Sequence, residues 1–281
     1  MDRVTLLKDK PRRATWVEMR QQSIPCFDVE LLDNMLEAGE ALGDRFRREA
    51  GIQSQPRLSG RDLFQVTCSD AKDGTFSLGG DLGSFIKWIE AGDEQNLRLY
   101  AGKCVQMVDM AQLHFGAPVE TIAVVEGDAL GGGFECALAH HKICATVGAR
   151  FGFPEVKFGM FPGMGAVSAL TRKIGAAKAQ WLIESGKTIT ATQGAEMGIV
   201  DKVTYEAGAR GAAARYMAQV VNNRGRAAML EALLIARQPV PRQELVDIVN
   251  LWIDNALHLP QENIELMRTI LKSQGRKYNG E

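Results

Sequence analysis

From Asp28 to Gly51 apolar side chains recur at Leu31, Leu32, Met35, Ala38, Leu42 and Phe46. That is the spacing of one helical face, entered on a capping aspartate and closed by a glycine. Phe64 to Cys68 alternates in strand fashion, and a turn at Ser77-Leu78-Gly79-Gly80-Asp81 hands the chain to a helix containing Phe85, Ile86 and Ile89. Leu97, Ala101, Cys104, Val108 and Ala111 mark a second long amphipathic helix, ending before Gly116 and Pro118. Thr121 to Val125 is a short apolar strand, a glycine-rich turn follows, Cys136 to Ala139 continues as a helix, and Ile143 to Thr146 returns as a strand. This strand, turn, helix, strand rhythm occurs twice, and right-handed crossovers make its strands parallel. Beyond Pro241 only helical periodicity remains, with Leu245, Ile248, Leu251, Trp252 and Leu257, then Ile264, Met267 and Ile270 after Pro260. The C-terminal fifth therefore reads as an α-helical appendage, a lid or an oligomer contact.

Composition narrows the classes. The 281 residues are 46% hydrophobic and 24% charged, an ordinary globular balance that excludes disorder and disulfide mini-scaffolds. A net charge of −1 gives no field for nucleic acid, and the densest basic cluster, Lys8, Lys10, Arg12 and Arg13, is too short for a nucleic-acid groove. It reads instead as a solvated tail, or as a dock for an acidic carrier protein. The charged N-terminal stretch has no apolar core of a signal peptide, and the longest charge-free run, Phe158 to Thr171, is too short to span a bilayer. Five cysteines with no CxxC pair favour a reducing cytoplasm, with thiols as small hydrophobes and no metal site.

Candidate chemistry sits in the second glycine turn. Gly131, Gly132 and Gly133 fall after a strand and before a helix, which leaves backbone N–H groups uncovered at a helix N-terminus, an anion or oxyanion site. The spacing is neither that of a dinucleotide fingerprint nor that of a P-loop. Glu135 lies on the first turn of the apolar helix, and Glu155 follows twenty residues later behind Phe153-Pro154. Alone, Glu135 reads as a dipole partner and Glu155 as a surface acid beside Lys157. Together they supply what dehydration of a β-hydroxyacyl compound needs: a base for the α-proton, an acid for the departing hydroxyl, and donors for the enolate oxygen.

The run AVVEGDALGGGFECALAHHKICATVGARFGFPEVKFGMFPGMG, Ala123 to Gly165, resembles the signature of the crotonase (enoyl-CoA hydratase/isomerase) superfamily. Phe76-Ser77-Leu78-Gly79-Gly80-Asp81-Leu82 is similar to that superfamily's other oxyanion turn, and Ala191 to Asp201 to its usual downstream segment. Within it, the FSLGGDL and GDALGGGFE motifs, the GFPE-to-FPGMGA run and the helix around Trp252 look like the diffusible signal factor synthases. The resemblance implies an α/β protein of ClpP/crotonase-like fold, with repeated ββα units over residues 1–203 and an α-helical lid or oligomerisation region over 204–281. It implies dehydration of a 3-hydroxyacyl group on acyl carrier protein to the cis-2-enoyl form, then thioester hydrolysis releasing the free acid.

Carried over position by position, Glu135 and Glu155 match the catalytic glutamates, with base and acid left open, and Gly80 and Gly132 match the oxyanion donors. No cofactor is implied beyond the phosphopantetheine thioester of acyl carrier protein or coenzyme A. A homotrimer or hexamer is expected by resemblance, and some relatives also contact a membrane sensor kinase. Lys72 to Thr75 makes a longer approach to the first turn than that group usually has. Leu138, Phe158, Met160, Phe161 and Met164 are candidates to line an acyl tunnel or plain core, and Trp252 is a pocket lid or a buried anchor. His140 and His141 read as structural and Cys136 as packing. A plain enoyl-CoA hydratase of fatty-acid oxidation, and a non-catalytic acyl- or sensor-binding protein, are the competing readings.

Overall fold

The computed structural model describes residues 2–51, 62–113, 119–205, 208–236 and 238–279. Its centre is a six-stranded sheet. Strand β1 (Val4–Asp9) pairs antiparallel with β2 (Ala14–Met19), and β3 (Phe64–Ser69) and β4 (Glu120–Val125) follow in parallel. The sheet continues, still parallel, through β6 (Lys142–Thr146) and β9 (Lys202–Thr204). Three short strands, β5 (Ala129–Leu130), β7 (Arg150–Gly152) and β8 (Thr188–Thr190), form a second sheet in that order. The mixed α/β class with a mostly parallel sheet agrees with the sequence rhythm. Gly116 and Pro118, expected to follow the second long helix, lie outside the described residues.

Both faces of the main sheet are covered, so its central strands β3 and β4 are buried along nearly their whole length, polar positions included. Phe64, Val66, Cys68, Ile122, Val124 and Cys144 point to one side, against α8 (Gly208–Val221) and α9 (Arg224–Ala236). Ala123, Val125, Ile143 and Ala145 point to the other and enter the main core. There they meet α1 (Val29–Gly51), α2 (Leu82–Glu90), α3 (Glu94–Gln112) and α4 (Gly132–Ala139). Helices α5 (Ala166–Ile174), α6 (Ala176–Glu184) and α7 (Ala191–Glu196) extend this layer; α10 (Arg242–Leu257) then packs on α3, and α11 (Gln261–Asn279) on α2. Helix starts follow the sequence signals: the carboxylate of Asp28 accepts from the Leu31 amide at 2.7 Å, and that of Asp81 from Gly83 at 3.0 Å.

One expectation is corrected. The basic cluster Lys8, Lys10, Arg12 and Arg13 is not a solvated tail but the close of the β1–β2 hairpin. Lys10–Arg12 form a 3-10 turn and Arg13 takes a left-handed conformation, φ 52°. Lys8 is answered by buried Asp62 at 2.5 Å and Arg12 by Asp9 at 2.9 Å. All five cysteines are free, and among the described residues no helix is long and apolar enough to cross a membrane.

Candidate active site

Three consecutive glycines place the site, each for its own steric reason. Gly131 has φ 51°, and a Cβ there would strike the Glu155 carboxylate. A Cβ on Gly133 would strike the Ser77 carbonyl, so the second glycine turn can lie against the first. Between them Gly132 opens α4, where its N–H has no acceptor within the helix. Gly80 approaches from the opposite turn: a Cβ built on Gly132 would lie 3.5 Å from the Gly80 nitrogen. A side chain at Gly80 would itself meet the Phe85 ring at 2.6 Å, so only glycine fits there. The turns are stitched by Leu130 N–H to the Ser77 carbonyl and Phe76 N–H to the Asp128 carbonyl, both 2.9 Å.

Beside these turns lies a mostly apolar cavity, and a second, smaller one adjoins it. Gly80, Phe85, Glu155 and Trp252 line both. The larger also takes Gly132, Glu135, Phe161 and Met164, and the smaller takes Phe158 and Met160. Leu138 lines neither. The face of α4 towards the cavity is Gly132, Glu135, Cys136, Ala139 and His140, at helical spacing, and Leu138 falls on the opposite face. Trp252 is 4% exposed, edge-on to Phe85 at 5.4 Å and against Gly163, where a Cβ would sit 2.5 Å from its ring. It is a fixed wall between the cavities and not a lid.

The two carboxyls differ in their surroundings. Glu135 is buried, and its Oε1 accepts from the Met164 amide at 2.8 Å and the Ala166 amide at 3.1 Å. Burial raises its pKa to about 7, and those two amides hold it from going higher. Glu155 is partly exposed as a residue, but its Oε2 is buried and has no hydrogen-bond partner among the described residues. Burial, and then the negative charge of Glu135, raise its pKa to about 8. Cys136 lines the same cavity with its thiol pushed up to about 12 by burial, an inert wall.

Several lining residues carried no sequence signal. Phe27, Leu32 and Met35 come from around the start of α1, and Tyr100, Cys104 and Met107 from α3. Their helical periodicity is legible, but not which part of the apolar stripe faces a void. Gln65 and Thr67, the polar positions of the alternation in β3, line the cavity, and each is 1% exposed. His140 also lines it, whereas His141 is held by Thr121, whose amide donates to its Nδ1 at 2.8 Å. The longer Lys72 to Thr75 approach is fastened by the end of α11, where Tyr278 Oη lies 3.1 Å from Thr75 Oγ1 and 3.2 Å from Asp73.

Comparison with solved structures finds the same fold. Enoyl-CoA hydratase from Bacillus halodurans superposes with a TM-score of 0.77 at 20% identity, over 95% of this chain and 99% of that one. DspI of Pseudomonas aeruginosa superposes at 0.68 and 23% identity, over 90% and 95%. Among curated proteins, the glyoxysomal fatty acid beta-oxidation multifunctional protein MFP-a of Brassica napus is 30% identical over 167 residues, 59% of this chain and 22% of that protein. The enoyl-CoA isomerase/hydratase fer4 of Mycosarcoma maydis is 44% identical over 87 residues, 31% of this chain and 32% of that enzyme. The aligned segments thus span about a fifth and a third of those curated relatives. Residues 62–250, from the start of β3 to the middle of α10, match the enoyl-CoA hydratase/isomerase family, and the chain belongs to that family.

Proposed function

We propose that this protein is a dehydratase and thioesterase of the diffusible signal factor synthase kind. It takes a 3-hydroxyacyl thioester to the cis-2-enoyl form and releases the free acid. The observation that carries the reading is the junction of two cavities at Gly80, Glu155 and Trp252. The larger, apolar one suits a fatty chain, and the smaller one the phosphopantetheine arm of acyl carrier protein or coenzyme A. The thioester then falls at the turn where the Gly80 and Gly132 amides can hold its oxygen.

The unequal carboxyls divide the work. Glu135, held by two amides, is the more readily ionised and takes the α-proton. Glu155, without a partner on Oε2, keeps its proton to higher pH and gives it to the departing hydroxyl, which leaves as water. The pair has then exchanged roles, with Glu135 protonated and Glu155 ionised. Hydrolysis restores it: Glu155 takes a proton from water as its oxygen attacks the thioester carbon, and Glu135 returns its proton to the departing thiol. Two steps close one proton cycle. The reading includes a cytoplasmic setting and a homotrimer or hexamer. Exposed Trp181, Met229, Leu233 and Leu251 offer apolar surface for association.

Mass spectrometry of fatty acids from cells expressing the wild type, Glu135→Gln and Glu155→Gln, with double-bond geometry assigned, tests it. Free cis-2-enoic acids with the wild type alone are expected. No free unsaturated acid, with hydration of trans-2-enoyl-CoA by the purified protein, would overturn it in favour of a plain hydratase.

A further inference from the structure

The larger cavity is not apolar to its end. Its walls run in one direction from the glycine turns: Leu32 to Leu42 on α1, Tyr100 to Ala111 on α3, and Gly132 to His140 on α4. His140 lies eight residues beyond Gly132 at the close of α4, about 12 Å further at the usual helical rise. Strand β3 runs the opposite way, so Thr67 and then Gln65 lie progressively further from the Gly79-Gly80 turn. Gln65, Thr67 and His140, all 3% exposed or less, therefore meet at the far end.

Their hydrogen bonds run in a single sense. His140 Nδ1 lies 2.8 Å from the Cys136 carbonyl, which only accepts, so Nδ1 carries the proton. Burial lowers the His140 pKa to about 4, the ring is neutral at physiological pH, and Nε2 is an acceptor. The Thr67 hydroxyl, 2.7 Å from Nε2, donates to it. Thr67 Oγ1 then accepts from Gln65 Nε2 at 2.8 Å, which fixes the amide. The chain of donors ends on Gln65 Oε1, a buried acceptor with no partner among the described residues. An unpaired buried amide oxygen is costly, so it persists where something supplies a donor.

We propose that Gln65 Oε1 is a recognition point for a hydroxyl at the far end of the acyl chain, so that the preferred substrates are fatty acyl thioesters hydroxylated at or near their terminus. This specifies the substrate class of the acyl site proposed above and rests on that site holding the chain. A plain methyl terminus leaves the oxygen unpaired, whereas a terminal hydroxyl pairs it, and discrimination by a buried polar group against an analogue lacking its partner is correspondingly strong.

Binding decides this, measured by calorimetry on the full-length protein with non-hydrolysable 2-oxoalkyl thioethers of coenzyme A. The probes are matched chains of ten, twelve and fourteen carbons, each with and without a terminal hydroxyl. In the wild type one length is expected to bind about tenfold tighter with the hydroxyl, the others showing the ordinary penalty for burying it. Gln65→Leu reverses that preference, and Thr67→Val, which frees the Gln65 amide to rotate, weakens it. Hydroxylated chains that bind no better than plain ones at every length in the wild type overturn the proposal, whether or not either variant folds. Turnover of 3-hydroxyacyl thioesters is scored separately, so failure of dehydration and failure of hydroxyl recognition are distinct results.

Discussion

Glu135 and Glu155 carry the same carboxyl in one cavity, and two backbone amides are what separate them. Both pKa values are raised, to about 7 and about 8, so kcat/KM is expected to rise as Glu135 ionises and fall as Glu155 loses its proton. The profile is a narrow bell between those limbs, which belong to the pair as a unit. Glu155→Gln, with no proton to give, should lower turnover by roughly 10²–10⁴-fold. It should also stabilise the fold at high pH, and the sign follows from linkage. A carboxyl whose folded pKa is raised penalises folding once pH exceeds its unfolded value, and the penalty is complete above its folded value. Chemical denaturation should therefore show no gain below about pH 4 and, after discounting for partial exposure, a gain on the order of 2 kcal/mol near pH 9. Gly131→Ala tests the same carboxyl from its neighbour: the left-handed φ and the collision with Glu155 predict a loss of turnover out of proportion to the loss of stability. Cys26, Cys68, Cys136 and Cys144 are pushed to about 12 by burial, and Cys104 higher, so the folded protein should not react with a thiol reagent at pH 8 until it is unfolded.

At the scale of elements, parts with strong punctuation were legible. The glycine turns, the apolar strand before Glu126 and the C-terminal helices could all be placed from spacing. What escaped depends on partners distant in sequence. The β1–β2 hairpin hid because charged residues interrupt its apolar alternation, and only the fold brings Asp62 to Lys8. In β3 the alternation is legible but not what its polar positions face: Gln65 and Thr67 end inside a cavity. Leu138 is among the sequence's candidates for tunnel wall or plain core, and helical geometry turns it to the face of α4 away from the cavity. Trp252 could have been lid or anchor, and Gly163 against its ring decides for anchor. Trp252→Ala should cost about 3–5 kcal/mol, read as a lower denaturation midpoint with an unchanged slope.

Across the whole molecule, the question is whether the helices beyond residue 240 form an appendage or complete the core. Leu245, Val249, Trp252, Ile253, Ile264 and Met267 are each 6% exposed or less and belong to the same cluster as Phe134 and Leu138 of α4. Burying a large apolar side chain contributes roughly 1.5–3 kcal/mol. Six of them therefore contribute on the order of 10 kcal/mol, as much as the net stability of an ordinary domain. Polar ties act with them: Glu244 accepts from Ser168 at 2.5 Å and pairs with Arg172 at 2.7 Å, and Arg242 pairs with Asp109 at 2.9 Å. These contacts fasten α10 to α5, whose first residue Ala166 donates its amide to Glu135, and to α3, which lines the cavity. Ending the chain at residue 240 should accordingly abolish cooperative thermal unfolding and the near-ultraviolet circular dichroism of the packed aromatics. A detachable lid would behave in the opposite way, leaving a shorter protein that still melts in one sharp transition and retains the site in a more open form.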